Sequence, residues 1–483
     1  MLNCQTTIDM VKKLFLIAFL LLPFATVFAQ NSGYGIPQIR NFGTADYRQE
    51  SQNFSVVQDK NSLMYFGNTN GIMEYDNEKW TIVKVPGRPK LAVSDKNEIY
   101  FGAYNMFGKV NYKNGHIDVA EFENNTGTEF GQITKLAVSG DDVYFTSSGK
   151  LFMYSDSTIR KIADNGFFRL LSLDTAVYVQ KKFAPLKRLN HGRQEDDAFC
   201  SLVDSIEVAD MICASDGCII LRDEIRSCFY KYSVADGLSP FFTDLDRYIN
   251  KNGYSCMKSL SDGAFVVGTN SGGLVSFDED GKYRFVLSSS NGLKDNTIND
   301  ICIDNQNKVW AVTENGICLL ETNSELSYFN AYNGIRGTVL SVRRHEGRLY
   351  VGTTSGLFQY SRWEMPGAAM YSFIGIRGIM NNCWQLCTYE DKLYAVTLDG
   401  LFLVGDRRAE KVLDGAFNSM KPMTIGGEEL LLIGGHSGLT VARVTNGKLK
   451  EIGRLKNMRH RVRTIGLRRC KAASSCSLFP LCQ

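Results

Sequence analysis

The apolar positions of this 483-residue chain come in short bursts rather than long stripes. A compact apolar segment ends in Gly or Thr, a small turn follows, and a second apolar segment begins at another Gly. Leu63-Met64-Tyr65-Phe66-Gly67 leads to Gly71-Ile72. Ile99-Tyr100-Phe101-Gly102 and Val143-Tyr144-Phe145-Thr146 repeat the unit, the latter running on to Gly149-Lys150-Leu151. Later copies are sharper: Phe265-Val266-Val267-Gly268 to Gly273-Leu274, Val309-Trp310-Ala311-Val312-Thr313 to Gly316-Ile317, and Leu349-Tyr350-Val351-Gly352 to Gly356-Leu357. Leu393-Tyr394-Ala395-Val396-Thr397 to Gly400-Leu401 and Leu431-Leu432-Ile433-Gly434 to Gly438-Leu439 complete the series. Weaker copies sit at Val177-Tyr178-Val179 and Cys218-Ile219-Ile220.

Equivalent positions fall at 65, 100, 144, 178, 219, 265, 310, 350, 394 and 431, at intervals of 34 to 46 residues. That is the length of a four-stranded propeller blade. Each unit opens with an alternating segment such as Ile298, Ile301 and Ile303, then turns at Asp304-Asn305-Gln306-Asn307. Helical repeats of this length would show apolar residues at three- and four-residue spacing over longer runs. The pattern therefore predicts an all-β chain, a seven-bladed β-propeller followed by an incomplete second β-propeller. The first ring is expected over about 43–325 within a domain spanning 30–325. A partial second ring of about three and a half blades is expected over 326–466. Asn291-Gly292-Leu293 and Asn333-Gly334-Ile335 read as connectors between blades.

The two ends of the chain are of another character. Lys12 and Lys13 precede an uncharged apolar run from Leu14 to Phe28, and Val27-Phe28-Ala29 offers the small-residue pattern of a cleavage site before Gln30. Residues 1–29 are thus expected to be a signal peptide, being too short to span a bilayer as an anchor. At the other end, the lead-in of an eleventh unit (Val462, Ile465, Gly466) gives way to Leu467-Arg468-Arg469-Cys470 and a stretch with no acid. The expectation there is an anomalous tail over 467–483, read out of frame, on a truncated chain.

Composition changes the picture little. Forty-four Gly against nine Pro and 11% aromatic residues suit short strands and tight turns. The formal charge is +3, but eight cations lie between Arg454 and Lys471 with no acid, and removing those eight leaves −5. The folded body thus gives no support to nucleic-acid binding. Thirteen cysteines do not form a disulfide framework by spacing. Cys302 and Cys318 read as buried thiols; Cys213, Cys218, Cys383 and Cys387 could pair locally; Cys470, Cys476 and Cys482 lie in the tail.

The residues Asn291-Gly292-Leu293, Asn296, Ile298, Ile301, Asp304, Trp310, Thr313 and Gly316-Ile317 resemble the two-component regulator propeller repeat. The opening from Gly33-Tyr34-Gly35-Ile36-Pro37 through Asn53-Phe54, Gln58-Asp59-Lys60 and Tyr65-Phe66-Gly67 resembles the N-terminus of large sensor-regulators of polysaccharide-utilising bacteria. The resemblance covers residues 33 to 466. It implies an ectodomain of two seven-bladed propellers and a β-sandwich with three tyrosines. A membrane helix and a histidine kinase or helix-turn-helix output would follow. It also implies a periplasmic location, a small-molecule ligand that is often an oligosaccharide, and signalling through a homodimer. The chain given lacks the later modules, so what carries over is sensing.

Catalytic chemistry finds no footing in the sequence. The Asp304–Trp310 turn resembles the Asp-box of sialidases, but Gln306 stands where that box has Gly. His116, His191, His345, His436 and His460 show no metal-ligand spacing. Gly434-Gly435-His436-Ser437-Gly438 lacks the spacing of a nucleophile elbow, and Gly268-Thr269-Asn270-Ser271-Gly272-Gly273 lacks the Lys of a phosphate loop. Both read as hairpin turns. No catalytic residue, metal or cofactor is expected, and the ligand-binding residues are left open. Tyr104, Asn105, Met106 and Phe107 extend one hairpin with groups that could stack on sugar or pack on the next blade. Rival readings are a secreted scaffold that holds proteins together and, further off, a propeller glycosidase or lyase.

Overall fold

A computed structural model describes residues 35–324, 326–365, 368–425, 427–445, 448–455, 462–467 and 478–481. The signal-peptide expectation and most of the tail lie outside the described residues. The chain forms two compact units, Tyr34–Asn333 with Arg362–Tyr371, and Gly334–Ser361 with Ser372 onward.

The first unit is a ring of seven four-stranded antiparallel sheets. We number them blades 1 to 7 by their innermost strands: Asn53–Gln58, Lys90–Val93, Ile133–Ser139, Phe168–Leu173, Val208–Cys213, Tyr254–Ser259 and Ile298–Ile303. The periodic positions Tyr65, Tyr100, Tyr144, Tyr178, Ile219, Phe265 and Trp310 each lie on the second strand of their blade. That strand is buried on both faces in blades 1, 6 and 7, where every residue of Met64–Asn68, Phe265–Thr269 and Val309–Thr313 is inaccessible. A blade cannot cover both of its own faces, so each depends on its neighbours.

The ring includes residues earlier than the 43–325 read from the repeats. Gln38–Phe42 pairs antiparallel with Gly316–Glu321 and becomes the outermost strand of blade 7, whose other three strands come from the far end of the unit. This closes the circle by hydrogen bonds between the two ends of the first unit and gives blade 7 its fourth strand. Phe42 anchors the closure: it is 2% exposed, stacks on Trp310 at 5.8 Å, and meets Tyr75 and Trp80 of blade 1 edge-on at 5.5 Å.

Three local devices explain the sequence signature. First, Thr-x-x-Gly ends the second strand. The Thr313, Thr353 and Thr397 hydroxyls donate to the carbonyls of Gly316, Gly356 and Gly400, which sit at φ of 114°, 130° and 143° where a side chain would be strained. Second, an Asp caps the turn between inner and second strands. Asp304 Oδ1 accepts from the backbone N–H groups of Gln306 and Lys308, and Oδ2 accepts from Trp310 Nε1 at 3.0 Å. Asp59 does the same for Asn61 and Leu63 in blade 1. Third, Gly67, Gly268, Gly352 and Gly434 stand where the next repeat crowds in. A Cβ on Gly67 would lie 2.1 Å from the Pro89 carbonyl oxygen, and one on Gly434 2.7 Å from Val462.

Short helices occupy connections that the sequence left undefined: α1 (Thr44–Tyr47), α2 (Ala198–Leu202, capped by Asp197) and α3 (Asp246–Asn252). The second unit repeats the blade plan in three four-stranded sheets with inner strands Val339–His345, Cys383–Tyr389 and Phe417–Ile425. Thr464–Leu467 and Leu478–Leu481 pair as a further two-stranded sheet. Cys213, Cys218, Cys383 and Cys387 are free thiols, as are Cys302, half-buried, and Cys318, fully buried. No helix among the described residues is long and apolar enough to cross a membrane.

Candidate functional site: the channel of the first ring

The inner strands decide what the ring encloses. In five of the seven blades the inner strand carries a β-bulge at its start, between Asn53 and Ser55, Ile133 and Lys135, Val208 and Asp210, Tyr254 and Cys256, and Ile298 and Asp300. A bulge inserts one extra residue opposite a single partner. It thereby explains why apolar residues three apart share the core face: Ile133 with Leu136, Val208 with Met211 and Ile298 with Ile301 are all buried. The residues between them are released toward the axis. They are polar in most blades and line a central cavity of about 720 Å³, within the range of ordinary small-molecule sites.

Many of the released groups bond the next blade. Ser55 donates to the Pro89 carbonyl, Ser255 to that of Ile298, and Arg169 to that of Val208. Lys90 donates back to the Phe54 carbonyl at 2.7 Å. Asp210 accepts from Met257 N–H and from the Tyr254 hydroxyl, while Met211 N–H takes its other oxygen. Asp300 spans the seam where the ring closes, accepting from Val56 N–H at 3.1 Å, and Asn299 donates there to the Asn53 carbonyl. Both carboxylates are therefore committed to backbone donors, which hold them in place.

Lys258 faces the same channel. Desolvation works against its ammonium, but the Asp300 and Asp210 carboxylates outweigh it and hold the pKa above the ordinary lysine value. Lys90 goes the other way: burial lowers its pKa, Asp300 pulls it back, and Lys135 repels it. Burial pushes the thiols of Cys256 and Cys302 up to about 12, so neither is a ready nucleophile.

At the blade 4 rim of the cavity stands Phe167, 65% exposed. Its carbonyl accepts from Lys182 N–H, which brings the adjoining turn with Phe183, 76% exposed, beside it. Of the two rings only Phe167 lines the cavity, where an exposed apolar face beside polar wall groups suits a ligand with both C–H and hydroxyl faces.

The residues singled out from sequence separate cleanly. Tyr104 is 53% exposed but lies outside the cavity lining, its N–H bonded to the Pro86 carbonyl. Asn105 clasps the backbone of Gly131, and Phe107 is fully buried and stacked on Phe145 at 4.5 Å. His191 bonds Asp142 at 3.0 Å away from the channel, and His460 lies outside the described residues. The segments at Gly268–Gly273 and Gly434–Gly438 are strand-connecting turns. Among the described residues no group of His, Cys, Asp and Glu could hold a metal ion.

Comparison with known proteins agrees with the blade chemistry. The sequence model of the family described as two component regulator propeller matches residues 292–315, from the blade 6–7 connector to the turn after the second strand of blade 7. That stretch is similar to a two component regulator propeller repeat. The extracellular domain of a hybrid two component system from B. thetaiotaomicron superposes with a TM-score of 0.57 at 14% identity, covering 87% of this chain and 61% of that one. The extracellular domain of a one component system from the same organism gives 0.47 at 16% identity, covering 86% and 61%. Virginiamycin B lyase from Staphylococcus aureus gives 0.44 at 13%, covering 59% and 98%. The chain thus spans about three fifths of the length of the extracellular domains it matches. No curated protein matches it.

Proposed function

We propose that this chain is the ligand-sensing part of a two-component-type regulator, exported to the periplasm, whose first propeller binds a small molecule, an oligosaccharide, in its central channel. The observation that carries the reading is the channel itself: a cavity of about 720 Å³, polar along its wall, with exposed Phe167 at its rim. The inner strands belong to separate blades tied to one another by side-chain bonds to backbone, so a ligand touching several would brace the ring. Such a change in blade-to-blade stiffness is the physical signal that a partner module or a second copy of the chain would read. Catalysis is not part of the proposal. Asp210 and Asp300, the channel's acids, each accept backbone hydrogen bonds on both oxygens, so both are occupied in holding the inner strands together.

The test is a thermal-shift and calorimetric screen of the full chain against a broad panel of oligosaccharides. The reading expects at least one class to raise the melting midpoint in proportion to the logarithm of its concentration. A folded chain that responds to none of them refutes it, and envelope proteins captured instead would favour a scaffold.

A further inference from the structure

We infer that the ligand of the channel is anionic, a sugar bearing a carboxylate or sulfate group, and that Lys135 is its principal partner. The inference rests on the binding role proposed above and adds the chemical class. It follows from the charges that face the axis. Three cations, Lys135, Arg169 and Lys258, come from three different blades and line one space together with the two carboxylates Asp210 and Asp300. Those carboxylates are satisfied by backbone N–H groups and already offset Lys258. Arg169 is tied to the Val208 carbonyl and only loosely to Glu224, at 3.8 Å. Lys135 differs from all of these: it is exposed where it lines the cavity, and no hydrogen bond or ion pair to it is found among the described residues.

Clustered like charges oppose one another, as the repulsion of buried Lys90 by Lys135 shows, and the two acids of the wall are already engaged by backbone donors and by Lys258. A bound anion would relieve that repulsion and supply acceptors for the ammonium donors of Lys135. The Ser172 and Ser259 hydroxyls on the same wall and the Phe167 ring at the rim provide for the uncharged remainder of a sugar. A free inorganic anion shares the charge but would leave the ring and hydroxyls unused, so a sugar acid should bind more tightly than sulfate.

Calorimetry on the full chain tests this with trigalacturonic acid, a sulfated disaccharide, neutral galactotriose and inorganic sulfate. Acidic sugars should bind at least tenfold more tightly than the neutral one, and more weakly as salt is raised from 50 to 500 mM. Lys135→Met should lose tenfold or more on acidic sugars at an unchanged melting midpoint, and Lys135→Arg should restore most of it. If neutral sugars bind and acidic ones do not, or if Lys135→Met binds acidic sugar like wild type, this inference is overturned while the sensing role stands. If inorganic sulfate matches the sugar acids, the sugar half is overturned. If no sugar of either kind binds, the sensing role itself fails.

Discussion

Replacing Phe42 by Ala should open the ring where its two ends meet. Phe42 lies on the strand Gln38–Phe42 that completes blade 7, and its side chain touches both blade 7 (Trp310) and blade 1 (Tyr75 and Trp80). Truncating a buried Phe costs about 3–5 kcal/mol, combining lost transfer energy with the cavity left behind. Here the ring is 2% exposed and in contact with three aromatic partners, each such pair adding roughly 0.5–1.5 kcal/mol beyond burial. The Arg40 guanidinium 4.5 Å above its face loses its platform as well. Relaxation of a strand at the rim will return part of this, so about 4 kcal/mol is expected. At a few degrees per kcal/mol for a domain of this size, the melting midpoint should fall by roughly 10 °C. Calorimetry and urea titration of the full chain provide the assay, with Ile225→Ala, at a 65% exposed position on blade 5, as the control within about 0.5 kcal/mol of wild type. A Phe42→Ala loss below about 1 kcal/mol would mean that the closing strand is dispensable and that the ring holds by other contacts.

Three further outcomes follow from the same packing. Asp304→Ala removes two backbone caps and the Trp310 indole bond, and should cost about 2–4 kcal/mol by urea titration, with Asp304→Asn nearer to wild type. Gly67→Ala should destabilise by about 1–3 kcal/mol because its Cβ would meet the Pro89 backbone, whereas Gly453→Ala, with open space around it, should be close to neutral. The raised thiol pKa values of Cys256 and Cys302 mean that the unfolded chain ionises there before the folded one. The contribution of these two thiols should therefore be constant below about pH 9 and be lost through the window from 9.0 to about 12, and both should resist alkylation at pH 8 until denaturant is added.

How far the sequence showed this depends on where repetition operates. The ten periodic positions lie on the same strand of ten sheets, because a doubly buried strand must be apolar and its Gly or Thr must end it. Gln38–Phe42 escaped because it belongs to no repeat of its own; its partners lie some 280 residues away, and a five-residue edge strand with Ile39 and Phe42 as apolar residues carries little pattern. The channel escaped for a different reason. A polar residue on an inner strand looks the same in sequence whether it faces bulk water or an enclosed axis. The bulge was nevertheless visible, as the three-residue step from Ile298 to Ile301 in an otherwise alternating segment. Lys135, Asp210 and Asp300 occupy the same place within that step, and the recurrence of charge there was the available signal. The turn residues Asp304 and Thr313 were legible because their chemistry is local. Phe167 was not, since its importance comes from what lies beneath it.

The most direct test of a ligand-binding channel is a crystal structure of the full chain with the oligosaccharide that most raises its melting midpoint. The account predicts density inside the first ring, with a sugar face against Phe167 and its charged group at Lys135. A sugar bound on the outer strands or on the second unit, with the channel holding water alone, would contradict it.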